Sequence, residues 1–479
     1  MTVTGRRSKA GAAGSAAPGP RRTPPGPPFW AGPALFRKLV SDRLGLMSLA
    51  ATYGDAARLS IGPKKMYFFN HPDTAKYVLA DNASNYHKGV GLVQARRAIG
   101  DGLLTSEGEL WRKQRRMIQP VFQNKRISQM AGIVADEAAG LVDRLRAHRG
   151  GGPVDIVQEM TGLSLGVLGR TLLDADLGAF DQIGHSFEAV QDQAMFEMVS
   201  LSMVPMWVPL PKQLRFRQAR AELQRIVDHL EAGRTQGAAD GDDVVSRLIV
   251  STRQEADPRV GRKRMRDELV TLLLAGHETT ASTLAWTFSL VDKHPEVRER
   301  LHAEAVEVLG DRLPVFEDLH RLRYTSMVVE EVMRLYPPVW MLPREAQADD
   351  EVGGYHVPKG SDVLISPYTL HRHPEFWDRP ERFDPDRFDP DLPRTRPRYA
   401  HIPFGAGPRF CVGNHLGMME ATFVIAMIAR DLRLVTVPGH RVVAEPMLSL
   451  RIRGGLPMTV HPAVSPRVRS RAATGAASG

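Results

Sequence analysis

Cys411 is the one cysteine among 479 residues, which excludes an intrachain disulfide and any structural zinc site that needs two thiolates. It stands in Phe404-Gly405-Ala406-Gly407-Pro408-Arg409-Phe410-Cys411-Val412-Gly413, directly ahead of an apolar-periodic stretch from Asn414 to about Arg430. Glycines on both sides of the sulfur permit positive φ and a close approach of backbone to a flat ligand. Backbone N–H groups at the start of the following helix are expected to point toward the sulfur and favour its thiolate form. One thiolate so presented suits axial ligation of haem iron. A buried structural cysteine satisfies the loop, taken alone, nearly as well.

A second set of candidates lies in Ala275-Gly276-His277-Glu278-Thr279-Thr280. Glu278 and Thr279 are an acid and a hydroxyl of the kinds that general acid catalysis uses. Gly276 and the paired threonines are poor helix-interior choices, Gly costing about 1 kcal/mol against Ala and Thr bonding its own backbone. A local widening of the helix is therefore expected there, although a kinked core helix accounts for the same pattern. Gly162-Leu163-Ser164-Leu165-Gly166 satisfies the G-x-S-x-G of a hydrolase nucleophile elbow and makes Ser164 a candidate nucleophile. That elbow requires a sharp strand-to-helix turn, and here the apolar spacing runs through it to Leu173, so Ser164 is expected inside a helix. His371 and His373 have a metal-ligand spacing without a third ligand cluster, so a structural turn before Pro374 is expected.

The elements that position these residues read as mainly helical. Glu109 to Met117, Ile127 to His148, Ile156 to Leu173, Lys212 to Arg234 and Arg264 to Asp292 place apolar residues at spacings of three and four. Two short strands, Ala57 to Ile61 and Met66 to Phe69, flank a turn at Gly62-Pro63-Lys64-Lys65, and strands return around Tyr355 to Ile365. An irregular Pro/Asp/Arg-rich stretch runs from Pro374 to Arg398. The expected fold class is mainly α with small β-sheets (α+β), and no stretch of about 18 apolar residues suggests a membrane span.

The cysteine decapeptide matches the F-x-x-G-x-R-x-C-x-G of the cytochrome P-450 monooxygenases, and further motifs follow in that family's order. Ala275 to Thr280 resembles the oxygen-binding A-G-x-[DE]-T-T. Glu331-Val332-Met333-Arg334 resembles the E-x-x-R, Pro380-Glu381-Arg382-Phe383 with Arg387-Phe388 the meander, and Trp111 with Arg115 the W-x-x-x-R pair of a haem-contacting helix. The resemblance spans residues 50 to 430 and identifies the sequence as a soluble bacterial member of the family. It implies haem b held by Cys411, with Phe404 in the cysteine loop. Trp111, Arg115, Arg344 and Arg409 would pair with its propionates, O2 would be the co-substrate, and Thr279 and Glu278 would deliver protons. Arg387 would join Glu331 and Arg334 in a buried network beneath the haem.

Composition adds limits. No G-x-G-x-x-G opens a βαβ unit, and one cysteine cannot hold an iron–sulfur cluster, so electrons are expected from a separate ferredoxin or flavodoxin with its NAD(P)H reductase. Arg112, Lys113 and Arg116 could form the basic patch that receives it, or merely a solvated helix face. The net charge of +9 is concentrated in Arg6, Arg7, Lys9, Arg21 and Arg22 and in Arg467, Arg469 and Arg471. The body is close to neutral and nucleic acid is an unpromising partner. Residues 1–28 and 463–479 read as disordered tails around one domain over 29–462, monomeric and cytoplasmic. Apolar residues between Met198 and Leu210, with Val339 to Leu342, are expected to line a cavity for a lipophilic substrate, a terpenoid ahead of a fatty acyl chain or macrolide. The alternatives are a haem protein that senses gas without turnover, or a serine hydrolase using Ser164.

Overall fold

A computed structural model describes residues 22–463 apart from 63, 176, 178–182, 201, 236–243, 254 and 394. Of the tails expected at 1–28 and 463–479, residues 1–21 and 464–479 lie outside the described residues. The packed chain begins earlier than the composition suggests: Pro24 and Pro27 are buried, and the Arg58 and His356 N–H groups donate to the carbonyls of Pro25 and Arg22. A proline-rich segment can dock in this way because it keeps its acceptors while lacking most donors.

The fold is mainly helical with small sheets. Its centre is the 36-residue helix Pro258–Lys293, about 54 Å long. Asp257 caps it by accepting the Arg259 N–H, and Pro258 occupies its first turn, where no donor is needed. It is buried on most sides from Leu269 to Val291, so it lacks the one-sided pattern of a surface helix. Around it pack the helices Ile156–Leu172, Arg323–Leu335 and Asn414–Asp431. Asn124–Ala147 buries Ile127, Met130, Val134, Ala138, Leu141 and Leu145 on one face against Asn414–Asp431, as its spacing predicts.

The five-stranded sheet has the order Ala56–Ile61, Lys64–Phe69, Asp362–Ile365, Leu342–Ala346, Tyr86–Lys88. The first two strands form the expected antiparallel hairpin. The second then pairs in parallel with Asp362–Ile365, Tyr67 opposite Val363, so the helical body is inserted between two halves of one sheet. Leu342–Ala346 runs antiparallel to Asp362–Ile365 and to Tyr86–Lys88, which sets Lys88 directly opposite Arg344. A second sheet joins Val154–Asp155, Pro457–Pro462 and Leu432–Thr436.

One alternative is removed and two further sequence expectations are corrected, while Ser164 is helical as expected. Ser164 lies in the interior of the helix Ile156–Leu172, fully buried, and its hydroxyl donates to Glu420 Oε1 at 2.5 Å. There is no strand-to-helix turn to expose it, which removes the hydrolase alternative. The expected widening at Gly276 is not an interruption, since Pro258–Lys293 is α-helical throughout. A Cβ at Gly276 would sit 2.7 Å from Leu168 on Ile156–Leu172, so the glycine serves close helix packing. Finally, Met203 and Trp207 are exposed and are not among the residues lining the apolar cavity described below.

Candidate active site

The cysteine loop folds on itself before the helix Asn414–Asp431: the Cys411 N–H donates to the Phe404 carbonyl at 3.0 Å, with the Phe404 and Phe410 rings 6.4 Å apart. Gly407 has φ +65°, and a Cβ there would lie 2.0 Å from the Leu79 carbonyl oxygen. Its glycine is thus required by approach to the segment 77–81 as well as by conformation. Cys411 is exposed by surface area although it lies deep among surrounding elements, the pattern of a side chain facing an internal cleft. Burial pushes its thiol pKa up, opposed by the Gly413 N–H and the Arg115 charge. The helix start therefore does not make the thiolate by itself, because desolvation outweighs the donors around the sulfur.

The long helix passes close to the cysteine loop. Thr280 Oγ1 lies within 3.7 Å of where a Cβ on Gly417 would stand, which sets the helix across the first turn after the cysteine loop. Ala275 is exposed and Thr279 half-buried within an otherwise buried helix. The Thr279 hydroxyl donates to the Ala275 carbonyl at 2.7 Å.

Glu278 faces elsewhere. One residue along a helix turns the side chain by about 100°, and Glu278 Oε1 accepts the Ser449 hydroxyl at 2.7 Å. Burial pushes its pKa up to about 7, with Ser449, Arg451 and Gln191 drawing it down. It borders a cleft of about 870 Å³ shared with His185, Glu188, Gln191 and Arg451. Cys411 does not line this cleft. His277 is a core side chain: its Nδ1 lies 2.7 Å from the Leu273 carbonyl, its ring packs on Phe187, and burial lowers its pKa to about 4.

On the other flank of the cysteine loop, cations gather. Arg344 is buried, and burial with the neighbouring Arg409 charge lowers its pKa to about 10. Lys88 is opposite Arg344 across the strand pair, and burial with the Arg344 and Arg409 charges holds its pKa well below the usual lysine range. Like charges directly opposite one another destabilise a strand pair unless an anion answers them. Glu107 is the carboxylate present: it pairs with Arg409 and accepts the Lys88 N–H. Arg409 also donates to the Ser106 carbonyl and stacks over Trp111 at 4.0 Å. Arg115 donates to the Phe410 carbonyl at 2.8 Å. A lone sulfur facing a cleft and this excess of buried and half-buried cations fit an iron porphyrin carrying two carboxylates. Lys88 and Glu107 escaped the sequence reading because only the strand pairing of Tyr86–Lys88 with Leu342–Ala346 brings Lys88 to Arg344.

Beneath the loop, Glu331 and Arg334 are fully buried and paired at 2.7 Å and 2.8 Å. The remaining Arg334 donors reach the carbonyls of His371, Pro380 and Arg382. Glu331 also accepts the Asp384 N–H, and Arg387 Nε lies 3.6 Å from it. His371 accepts the Ile402 N–H, and His373 pairs with Asp55. Among the described residues no group of three metal-ligating side chains exists.

Met198, Val199, Trp340 and Met341 line an apolar cavity with Phe36, Met47 and Met66. On the opposite question of partners, Arg112 and Lys113 are exposed but ion-paired with Glu109 and Glu255, while Arg116 is exposed nearby. No helix among the described residues is long and apolar enough to cross a membrane.

The cytochrome P450 family model matches residues 23–454. Cyclooctatin synthase of Streptomyces melanosporofaciens is 36% identical over 425 residues, 87% of this chain and 92% of that protein. Cyclooctat-9-en-7-ol 5-monooxygenase of the same organism is 36% identical over 459 residues, 94% of this chain and 99% of that protein. Pentalenene oxygenase of Streptomyces avermitilis is 31% identical over 404 residues, covering 84% of this chain and 89% of that protein.

Proposed function

The chain belongs to the cytochrome P450 family and is a haem-dependent monooxygenase, and from that premise we propose that it oxygenates a terpenoid, with Cys411 holding the iron. When bound, the haem supplies the reductive activation of O2 and the transfer of one oxygen atom. Arg344, Arg409, Arg115 and Trp111, with Lys88 added, hold its carboxylates and so fix its orientation over Cys411. Thr279 holds a proton donor in the cleft. Glu278, with its pKa near neutrality and its place on the cleft shared with His185, Glu188 and Arg451, exchanges protons with solvent and passes them inward. A ferredoxin or flavodoxin, reduced by its NAD(P)H reductase, docks on the face bearing Arg116, Arg112 and Lys113.

The observation that carries the substrate class is the apolar, methionine-rich cavity beside Trp340, read with three relatives named for cyclooctatin, cyclooctat-9-en-7-ol and pentalenene, all terpenoids. Methionine adapts to irregular hydrocarbon shapes. A panel of cyclic terpene hydrocarbons and alcohols, fatty acids and macrolides, scored by the ligand-induced spin shift of the haem and by product formed with surrogate redox partners, tests this. Terpenoids should give the shift and the product; a response confined to fatty acids or macrolides would overturn the assignment.

A further inference from the structure

A separate cleft of about 380 Å³ opens where four helices converge: the end of Leu92–Ile99, Ile183–Val199, the first half of Pro211–Thr235 and the long helix Pro258–Lys293. Part of its lining is apolar and packed, with Ile99, Val190, Phe216 and Val270 buried. The rest is cationic. Arg96, Arg97, Arg220, Lys263 and Arg266 line it, against two acids, Asp101 and Asp267. Neither Cys411 nor Thr279 lines this cleft, and it shares no residue with the apolar cavity beside Trp340.

The two acids are already committed. Asp101 pairs with Arg96 and Lys263, and the buried Asp267 takes Lys263, Arg266 and the Asp101 N–H. Arg97 is answered by Glu197, which does not line the cleft. Four cations then share two carboxylates. Arg220 makes no hydrogen bond or ion pair among the described residues, and it faces Arg266, which repels it, and Asp267, which other cations already hold. The helices add to this field. Pro211–Thr235 and Pro258–Lys293 have no acid in their first turns, and each carries four or five basic residues before its first carboxylate, Glu222 in one and Asp267 in the other. Basic residues near a helix start oppose its macrodipole, so the elements themselves disfavour an arrangement that a bound anion would offset.

We propose that this cleft binds a phosphate or diphosphate ester of a hydrocarbon alcohol, with Arg96, Arg220 and Arg266 on the phosphate oxygens and the hydrocarbon against Phe216 and Val270. The guanidinium fork takes phosphate oxygens in bidentate fashion, which suits three arginines better than three lysines. A carboxylate would answer one of the two excess positive charges and a neutral alcohol neither. A free inorganic anion would leave the apolar part of the lining unused. The three arginines lie on three different helices, so the ligand ties Leu92–Ile99, Pro211–Thr235 and Pro258–Lys293 together and stabilises the folded chain by mass action. This site is separate from the haem cleft, and the inference stands whatever compound is oxygenated.

The test is calorimetric titration of the full-length, haem-loaded protein with geranyl diphosphate, inorganic diphosphate and geraniol at one ionic strength, with the haem spectrum followed in parallel. Geranyl diphosphate should bind at least about tenfold more tightly than either of the others, and raise the melting temperature. Its affinity should fall by about tenfold or more in Arg96→Gln/Arg220→Gln. Arg262→Gln, an exposed position on the same helix that does not line the cleft, should bind almost as the wild type does. An unchanged melting temperature without ligand verifies folding of the double variant, and Arg220→Gln alone serves where it does not. Absence of binding would overturn the proposal, as would undiminished binding in the double variant. Equal losses in Arg262→Gln would reduce the effect to a diffuse surface field and overturn it too. Inorganic diphosphate binding as tightly as the ester would show that the apolar lining takes no part, and geraniol doing so that the cations take none; either result refutes the assignment. A haem spectral shift that accompanies binding and persists in the double variant would place the ligand at the haem instead.

Discussion

Thr279 and Glu278 are neighbours in sequence whose side chains point in different directions, and the proposed proton relay divides its work between them accordingly. The Thr279 hydroxyl, bonded to Ala275, is already ordered on the cleft side. Replacing it in Thr279→Ala keeps the helix and slightly favours it, so stability should hold while product formed per NAD(P)H consumed drops and hydrogen peroxide rises. Unchanged coupling would mean that protons reach the cleft by another route. Glu278 depends on Ser449, whose hydroxyl favours the charged carboxylate. Ser449→Ala should therefore raise the Glu278 pKa further, moving the pH profile of coupling toward alkaline values by roughly half to one unit. A profile that stays put would show that Glu278 does not titrate during turnover. The sequence made Thr279 and Glu278 visible because both belong to one short segment. Ser449 was not visible, since nothing local to a hairpin turn announces that it will meet a helix side chain 171 residues away.

Between elements, the Glu331–Arg334 pair ties the helix Arg323–Leu335 to the His371 carbonyl and to two carbonyls of the irregular stretch, those of Pro380 and Arg382. All of the Arg334 donors are used, and both side chains are out of solvent. Removing the acid in Glu331→Ala strands a buried guanidinium at a cost of about 3–5 kcal/mol, so the variant should be haem-poor or insoluble. A well-folded variant with full haem content would show that the carbonyls alone hold Arg334. Helices were the most legible elements in the sequence: Gly108–Ile118, Asn124–Ala147, Pro211–Thr235 and Asn414–Asp431 each lie within a few residues of the periodic stretch that announced them. The exposed turn at Met203 and Trp207 was misread because an apolar run has the same composition whether it faces a cavity or the outside. Burial depends on what packs over it, which the run itself does not encode.

Over the whole molecule, buried ionisable groups shape the pH range of stability. Burial raises Glu268 to about 8 and Glu420 to about 7, alongside Glu278, and lowers His277 to about 4 and His401 to about 3. For the acids, the folded pKa is above the unfolded one, so their stabilising protons are retained below the usual carboxylate range and stability is lost as pH rises toward 7 and 8. For the histidines the folded pKa is below the unfolded one, and stability is lost as pH falls from the usual histidine range. The melting temperature should therefore decline between about pH 6.5 and pH 8.5. Glu420→Gln, neutral at every pH and still within reach of Ser164, should melt higher relative to wild type at pH 8 than at pH 5. A difference independent of pH would mean that Glu420 is ionised in the folded protein.

The parallel pairing of Lys64–Phe69 with Asp362–Ile365 also has a meaning for biosynthesis. A ribosome adding about 5–20 residues per second needs roughly 15–60 seconds to travel between those two strands. Throughout that interval the hairpin's inner strand, with Tyr67, Phe68 and Phe69 destined for the core, presents an unpaired edge of the kind that seeds aggregation. Yield of the intact protein will then be governed less by its final stability than by how well the nascent chain is shielded while it waits, so slower growth temperature and abundant holdase chaperones should raise recovery without altering the purified product.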